Sequence, residues 1–209
     1  MTDEEIRWRL RRVYAALGDA SGIPTEEAAH SVTVRHEQGF ETHVDFSGGR
    51  SAEQLETDAN SILNEIMGIK DRARAWMKGN GKDPNLVEDF IKSSQSAALV
   101  HDLANADKHG QPGSSGMSGQ KPVLRNISRS AMLKRDPITG LYPPSGTLMM
   151  RLDSVTGKVE QLPGENTEVG ITGDIVDAKG AEISKLHDVI FEAIRGWENF
   201  LTSQGLKLR

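Results

Sequence analysis

Cysteine is absent from the 209 residues of this chain. That removes disulfide bonds and thiolate metal ligands from the ways the fold is held together. Aromatic residues are scarce, at 5%, so any core has to be mainly aliphatic. No apolar run approaches the ~18 residues that mark a membrane span, and the first residues are charged rather than signal-like. These absences predict a cytoplasmic protein with no membrane partner. Positive charge is also in deficit, with 25 Lys and Arg against 30 Asp and Glu and a net charge of −5. A protein that coats nucleic acid depends on many phosphate-neutralising cations, so only local basic patches stay open. Glycine is plentiful, and its 21 copies fall mostly between periodic segments, as expected of generous polar loops.

Hydrophobic periodicity divides the chain. A first helix is predicted over residues 3–18, capped by Thr2 or Asp3 and ended by Gly18. Ile6, Leu10, Val13 and Leu17 form its apolar stripe; Trp8 lies outside it, and Arg7, Arg9, Arg11 and Arg12 crowd it. Residues 30–46 read as an inserted β-hairpin, with Val32/Val34 and Val44/Phe46 alternating around Gly39. It carries His30, His36 and His43, and imidazole is a common metal ligand. Their spacing fits no standard zinc pattern, so no metal site is assigned.

Residues 51–109 are predicted to form an antiparallel helical hairpin. Ser51 and Gln54 open its first helix as a capping box, and Leu55, Ala59, Ile62, Ile66, Ala73 and Met77 hold one face. Gly79–Pro84 makes the turn, and a second helix runs from about Asn85 to His109 with Leu86, Phe90, Ala97, Leu99 and Leu103 apolar. Residues 110–122 are a flexible loop by composition. Residues 123–178 read as one small antiparallel sheet, and residues 181–203 as a closing helix striped by Ile183, Ile190, Ile194, Trp197 and Leu201. Helices at both ends frame the chain, which predicts a single α+β domain over 1–209.

The chemistry-bearing stretch is Leu99–Gly110. At roughly 100° per residue, Leu99, Leu103 and Ala106 share a narrow stripe, and Asp102, Asn105 and His109 form a polar stripe beside it. Unpaired burial of such groups costs a few kcal/mol each, so they need partners or a solvated cleft. Basic side chains that could meet a phosphate are Lys108, next to His109, and Arg125 and Arg129 in a window from Lys121 to Arg135 that has no acidic residue before Asp136.

Asn105-Ala106-Asp107-Lys108-His109, on a helix ending at a loop, resembles the signature of the HEPN superfamily of nucleotide-binding helical domains. The fuller run from Asp102 to His109 is similar to one in bacterial proteins of HEPN-like appearance. Ribonuclease members carry an Arg, about four to six residues and then a His, often with Asn directly after the Arg. Counting back four residues from His109 gives Ala104 followed by Asn105, so the Asn and His match and the Arg does not. The resemblance implies a HEPN-like helical bundle that forms homodimers and needs no cofactor. In active members it implies metal-independent RNA cleavage, with the histidine moving a proton and the arginine steadying phosphate charge. Carried onto this chain, the catalytic candidates are His109, Asn105 and Asp102, with Lys108, Arg125 and Arg129 as nucleic-acid contacts. The missing arginine favours a non-catalytic binding or assembly module that contacts RNA, a nucleotide or a protein partner. An endoribonuclease of toxin or defence type, and an accessory protein with a chance motif, are the alternatives.

Overall fold

The computed structural model describes residues 2–21, 30–36, 39–45, 50–109, 116–133, 141, 143–144, 148–152, 159–163 and 167–208. For the strands at 30–36, 39–45, 148–152 and 159–163 that description is of the backbone. Within it the chain is a mixed α+β protein.

Ser51 opens helix α2 (Ala52–Gly79) with the expected reciprocal cap. Its hydroxyl accepts the Gln54 N–H, and the Gln54 side chain accepts the Ser51 N–H at 2.8 Å. Leu55, Ala59, Ile62, Leu63, Ile66, Ile69, Ala73, Trp76 and Met77 are buried. Their spacing of three and four keeps one face against the core along the whole helix. The helix closes at Gly81, whose φ of +68° lets the Lys82 N–H return to the Met77 carbonyl at 2.9 Å. Helix α1 (Asp3–Ser21) packs on α2 through Ile6, Leu10 and Val13, all buried as expected. It runs past the predicted end at Gly18, since one glycine costs a helix only about 1 kcal/mol.

The predicted second helix of the hairpin is two helices, α3 (Leu86–Ser93) and α4 (Gln95–His109). Ser94 interrupts them with an extended backbone at φ −103° and ψ 106°. Its carbonyl accepts the Ala98 N–H at 2.9 Å and its hydroxyl accepts the Ala97 N–H at 3.4 Å, so it serves as the N-cap of α4. The face also differs from expectation: Leu86 is exposed, while Val87 and Ile91 are buried. Phe90 stacks on Phe200 at 4.7 Å and meets Trp197 edge-on at 4.8 Å. The antiparallel course is visible in the side-chain bonds to α2, where Asn60 meets Asp107, Lys70 meets His101 and Arg74 meets Glu88.

The strands do not make one sheet. β1 (His30–His36) and β2 (Gly39–Asp45) pair as an antiparallel hairpin, as expected. β4 (Leu148–Leu152) and β5 (Val159–Pro163) form a separate two-stranded sheet. The remaining strands form an antiparallel sheet in the order β3 (Val123–Leu133), β6 (Thr167–Val176), β7 (Glu182–Lys185). β7 takes the first residues of the predicted 181–203 helix, which begins instead at Leu186 as α5 (Leu186–Ser203). The cause is a tight turn: the Asp177 carboxylate accepts the N–H groups of Lys179 and Ala181, both at 2.8 Å, and Gly180 sits at φ +88°. That turn folds Glu182–Lys185 back onto β6 before a helix can start. Ile171 and Ile175 of β6 join residues from all five helices in one hydrophobic cluster.

The first part of the predicted flexible loop, 110–115, lies outside the described residues, as do Lys134 and Arg135 of the basic window and the side chains of His30, His36 and His43. The later part, from Gly116 to Gln120, is a turn fixed to α4 rather than a loose linker.

Candidate functional site

Asp102 is the most deeply buried acid described, 4% exposed at the inner edge of α4. Its carboxylate is fully engaged. Oδ1 accepts the Met117 N–H at 2.7 Å, while Oδ2 accepts the Ser118 N–H at 2.9 Å and the Ser118 hydroxyl at 2.5 Å. Gly116 makes this approach feasible, because a Cβ there would lie 2.5 Å from Oδ2. Burial on its own would raise the carboxyl pKa. Bonds from His101, Ser118 and Met117 outweigh it and hold Asp102 below the usual carboxylate range.

His101 is the residue that joins the polar groups. Its Nε2 lies 3.3 Å from Lys70 Nζ, its Nδ1 lies 3.3 Å from Asp102 Oδ1, and the Asn105 amide stands 3.1 Å from Nδ1. An ammonium only donates, so Nε2 accepts from Lys70 and the ring proton on Nδ1 is directed to Asp102. The Asn105 Nδ2, a donor as well and also 3.3 Å from Nε2, touches the ring without a hydrogen bond to Nδ1. Lys70 continues to Glu88 at 3.1 Å, where Arg74 arrives at 2.6 Å. Desolvation pushes the Glu88 carboxyl up, and the Lys70 and Arg74 cations bring it net below its ordinary value. A seam of polar side chains thus runs between α2, α3 and α4 to the Met117–Ser118 turn. An Asp–His pair is a common way of orienting a general base. Here the second ring nitrogen is occupied by Lys70 and the imidazole side chain is only 14% exposed, which leaves no substrate-facing nitrogen.

The sequence-predicted residues separate accordingly. Asp102 and Asn105 meet through His101. His109 sits exposed in the last turn of α4, about 10 Å along the axis from Asp102 at 1.5 Å per residue, and is not part of the seam. Lys108 is exposed beside it, and Asp107 points to α2, where Asn60 and Asn64 donate to its two oxygens at 3.0 and 3.1 Å. Arg125 is exposed on β3 and registers with Asp174, whereas Arg129 is buried. Burial first, and the nearby Arg50 charge second, lower the Arg129 pKa, an environment unlike that of a phosphate-reading surface arginine. His101 was missed, although the signal was present: it stands four residues before Asn105 on the same helix edge.

Two other surfaces carry charge. A cavity of about 390 Å³ at the start of α2 is lined by Arg50, Glu53, Gln54, Thr57 and Asp58, where Arg50 pairs with Asp58. On α1, Trp8 is half exposed with the Arg12 guanidinium 5.0 Å from its ring centre. Around it Arg7 pairs with Asp3 and Glu4, Arg11 with Glu4, and Arg12 with Glu65. Among the described residues no group of three His, Cys, Asp or Glu is placed to hold a metal ion, and no helix is long and apolar enough to cross a membrane. No protein-family model, curated protein or solved structure matches the chain.

Proposed function

We propose that this chain is a HEPN-like binding and assembly module that works as a homodimer and performs no RNA cleavage. The observation that carries this reading is the commitment of Asp102. All of its acceptor capacity is spent on Met117, Ser118 and His101, so it cannot serve as the carboxylate that orients His109. Ala104 stands where an arginine is needed, and of the two arginines on β3 Arg129 is buried and Arg125 stands opposite Asp174. Proton transfer without a cation at the phosphate leaves the developing charge unsupported. The polar stripe is then a structural device that docks the Met117–Ser118 turn on α4. The partner that fits best is a protein: the chain is net acidic, and the arginines of α1 already have carboxylates.

The test is incubation of the wild-type protein with a mixed RNA pool in the absence of metal, beside His109→Ala. Intact RNA with both proteins is the expected result. Cleavage by the wild type that vanishes in a folded His109→Ala protein overturns the reading in favour of an endoribonuclease.

A further inference from the structure

We infer that two copies of this chain meet along α1, antiparallel and centred on Trp8; the inference rests on the dimer reading above and locates its interface. Trp8 is the one tryptophan left in solvent, at 50% exposure, while Trp76 and Trp197 are each 2% exposed. It occupies the outer face of a helix of 19 residues whose inner face is fixed. Ile6, Leu10 and Val13 are in the core, the Trp76 indole donates to Asp3 at 2.7 Å, and the Tyr14 hydroxyl donates to Glu198 at 2.7 Å. The outer face is therefore presented in one orientation, which lowers the ordering cost of association.

The charges on that face are self-complementary. The first turn is acidic, with Asp3, Glu4 and Glu5, and the next turns are basic, with Arg7, Arg11 and Arg12. Residues three and four apart share a helix face, so Glu4, Trp8, Arg11 and Arg12 look outward together. A two-fold axis at Trp8 puts each position opposite the one equally far beyond the axis. Glu4 then faces the partner's Arg12, and Trp8 faces the partner's Trp8. A parallel arrangement would instead set like charges side by side. Within one copy Glu4 bonds Arg7 and Arg11, and Arg12 bonds Glu65 while lying over Trp8. Across the axis Glu4 and the partner's Arg12 therefore add to these pairs and share their charges rather than filling open positions. An RNA strand has no such match, because it brings only negative charge to a face that also carries Glu4 and Glu65, whereas a second copy brings both signs. One helix face is a small interface, near or below the ~1,200 Å² at which typical specific complexes begin, so a dimer in exchange with monomer is expected.

The experiment is sedimentation velocity over a dilution series of the full chain, with circular dichroism to verify that each variant is folded. The wild type is expected as a dimer of the 22.8 kDa chain, weakening as salt rises. Glu4→Arg and Trp8→Ser each weaken it by about tenfold or more. The exchange Glu4→Arg with Arg12→Glu returns it to within about threefold of wild type. Tryptophan emission shifts to the red on dilution in the wild type and does not shift in Trp8→Ser. Wild-type monomer at every concentration overturns the dimer reading and this inference with it. Dimers that Glu4→Arg and Trp8→Ser leave intact overturn the α1 interface alone. Polyuridine that quenches Trp8 while the bare protein stays monomeric assigns the face to nucleic acid instead.

Discussion

The guanidinium of Arg9 lies across the bare backbone of Gly68, where a methyl group on that glycine would overlap it. Arg9 is held there by Glu65 at 2.8 Å and by the Asn64 carbonyl at 3.3 Å, and both ion-pair side chains are 16% exposed. The arginine of α1 thus packs through a notch in α2 that glycine alone leaves open.

Gly68→Ala should therefore destabilise the protein by about 1–2 kcal/mol. Expelling Arg9 from its partly buried pair outweighs the gain of up to about 1 kcal/mol from alanine in a helix. In an Arg9→Ala background the clash is gone, and the same substitution should stabilise by about 0.5–1 kcal/mol. Urea denaturation of the four proteins reads the sign directly. Equal effects in both backgrounds would show that Arg9 does not occupy the notch.

Asp102→Asn should cost about 2–4 kcal/mol, since an amide offers one acceptor oxygen where the Met117 and Ser118 N–H groups and the Ser118 hydroxyl need a carboxylate. The pH dependence follows from the lowered folded-state pKa of Asp102. Its contribution is complete above the unfolded value of about 4, and it is lost as pH falls through the lower folded value. Glu88 is also lowered, so the informative quantity is the difference between wild type and Asp102→Asn. Urea midpoints should differ most at neutral pH and converge as the solution is acidified. A difference that stays constant into strong acid would contradict the assignment.

Ser94→Ala should remove the N-cap of α4 and lower stability by about 1 kcal/mol. Ser93→Ala, one residue earlier, touches an exposed bond to the Phe90 carbonyl and should stay within about 0.5 kcal/mol. Thermal melts of the two variants side by side make the comparison; equal effects would mean that Ser94 is not the cap.

The long core face of α2 was legible because nothing interrupts its period and Ser51 and Gln54 mark its start. The break at Ser94 was hidden, since buried side chains continue through Ile91 and Ala97 on either side of it. β7 was hidden for a different reason. Ile183 falls in phase with the stripe of α5, and only pairing with β6 makes it a strand. In the candidate site the sequence showed Asp102 and Asn105 but grouped them with His109 by period alone. What organises them is Lys70 from another helix and a turn sixteen residues beyond Asp102. Neither contact leaves a local trace.

The bulge in β3 bears on how copies of this chain avoid joining in the wrong way. In the sheet β3–β6–β7 the outer strands are β3 and β7, and an open strand margin is a template on which another chain can add and fibres can grow. Asn126, at φ +51°, and Ile127 together face the single residue Gly173, which breaks the ladder between Arg125 and Ser128. β7 is only four residues long and ends in Lys185, whose ammonium is held by Asp174 and Glu182. One margin is kinked and the other is short and charged, so an incoming strand finds no long straight stretch to extend. Strand addition at either margin of this sheet is thereby disfavoured.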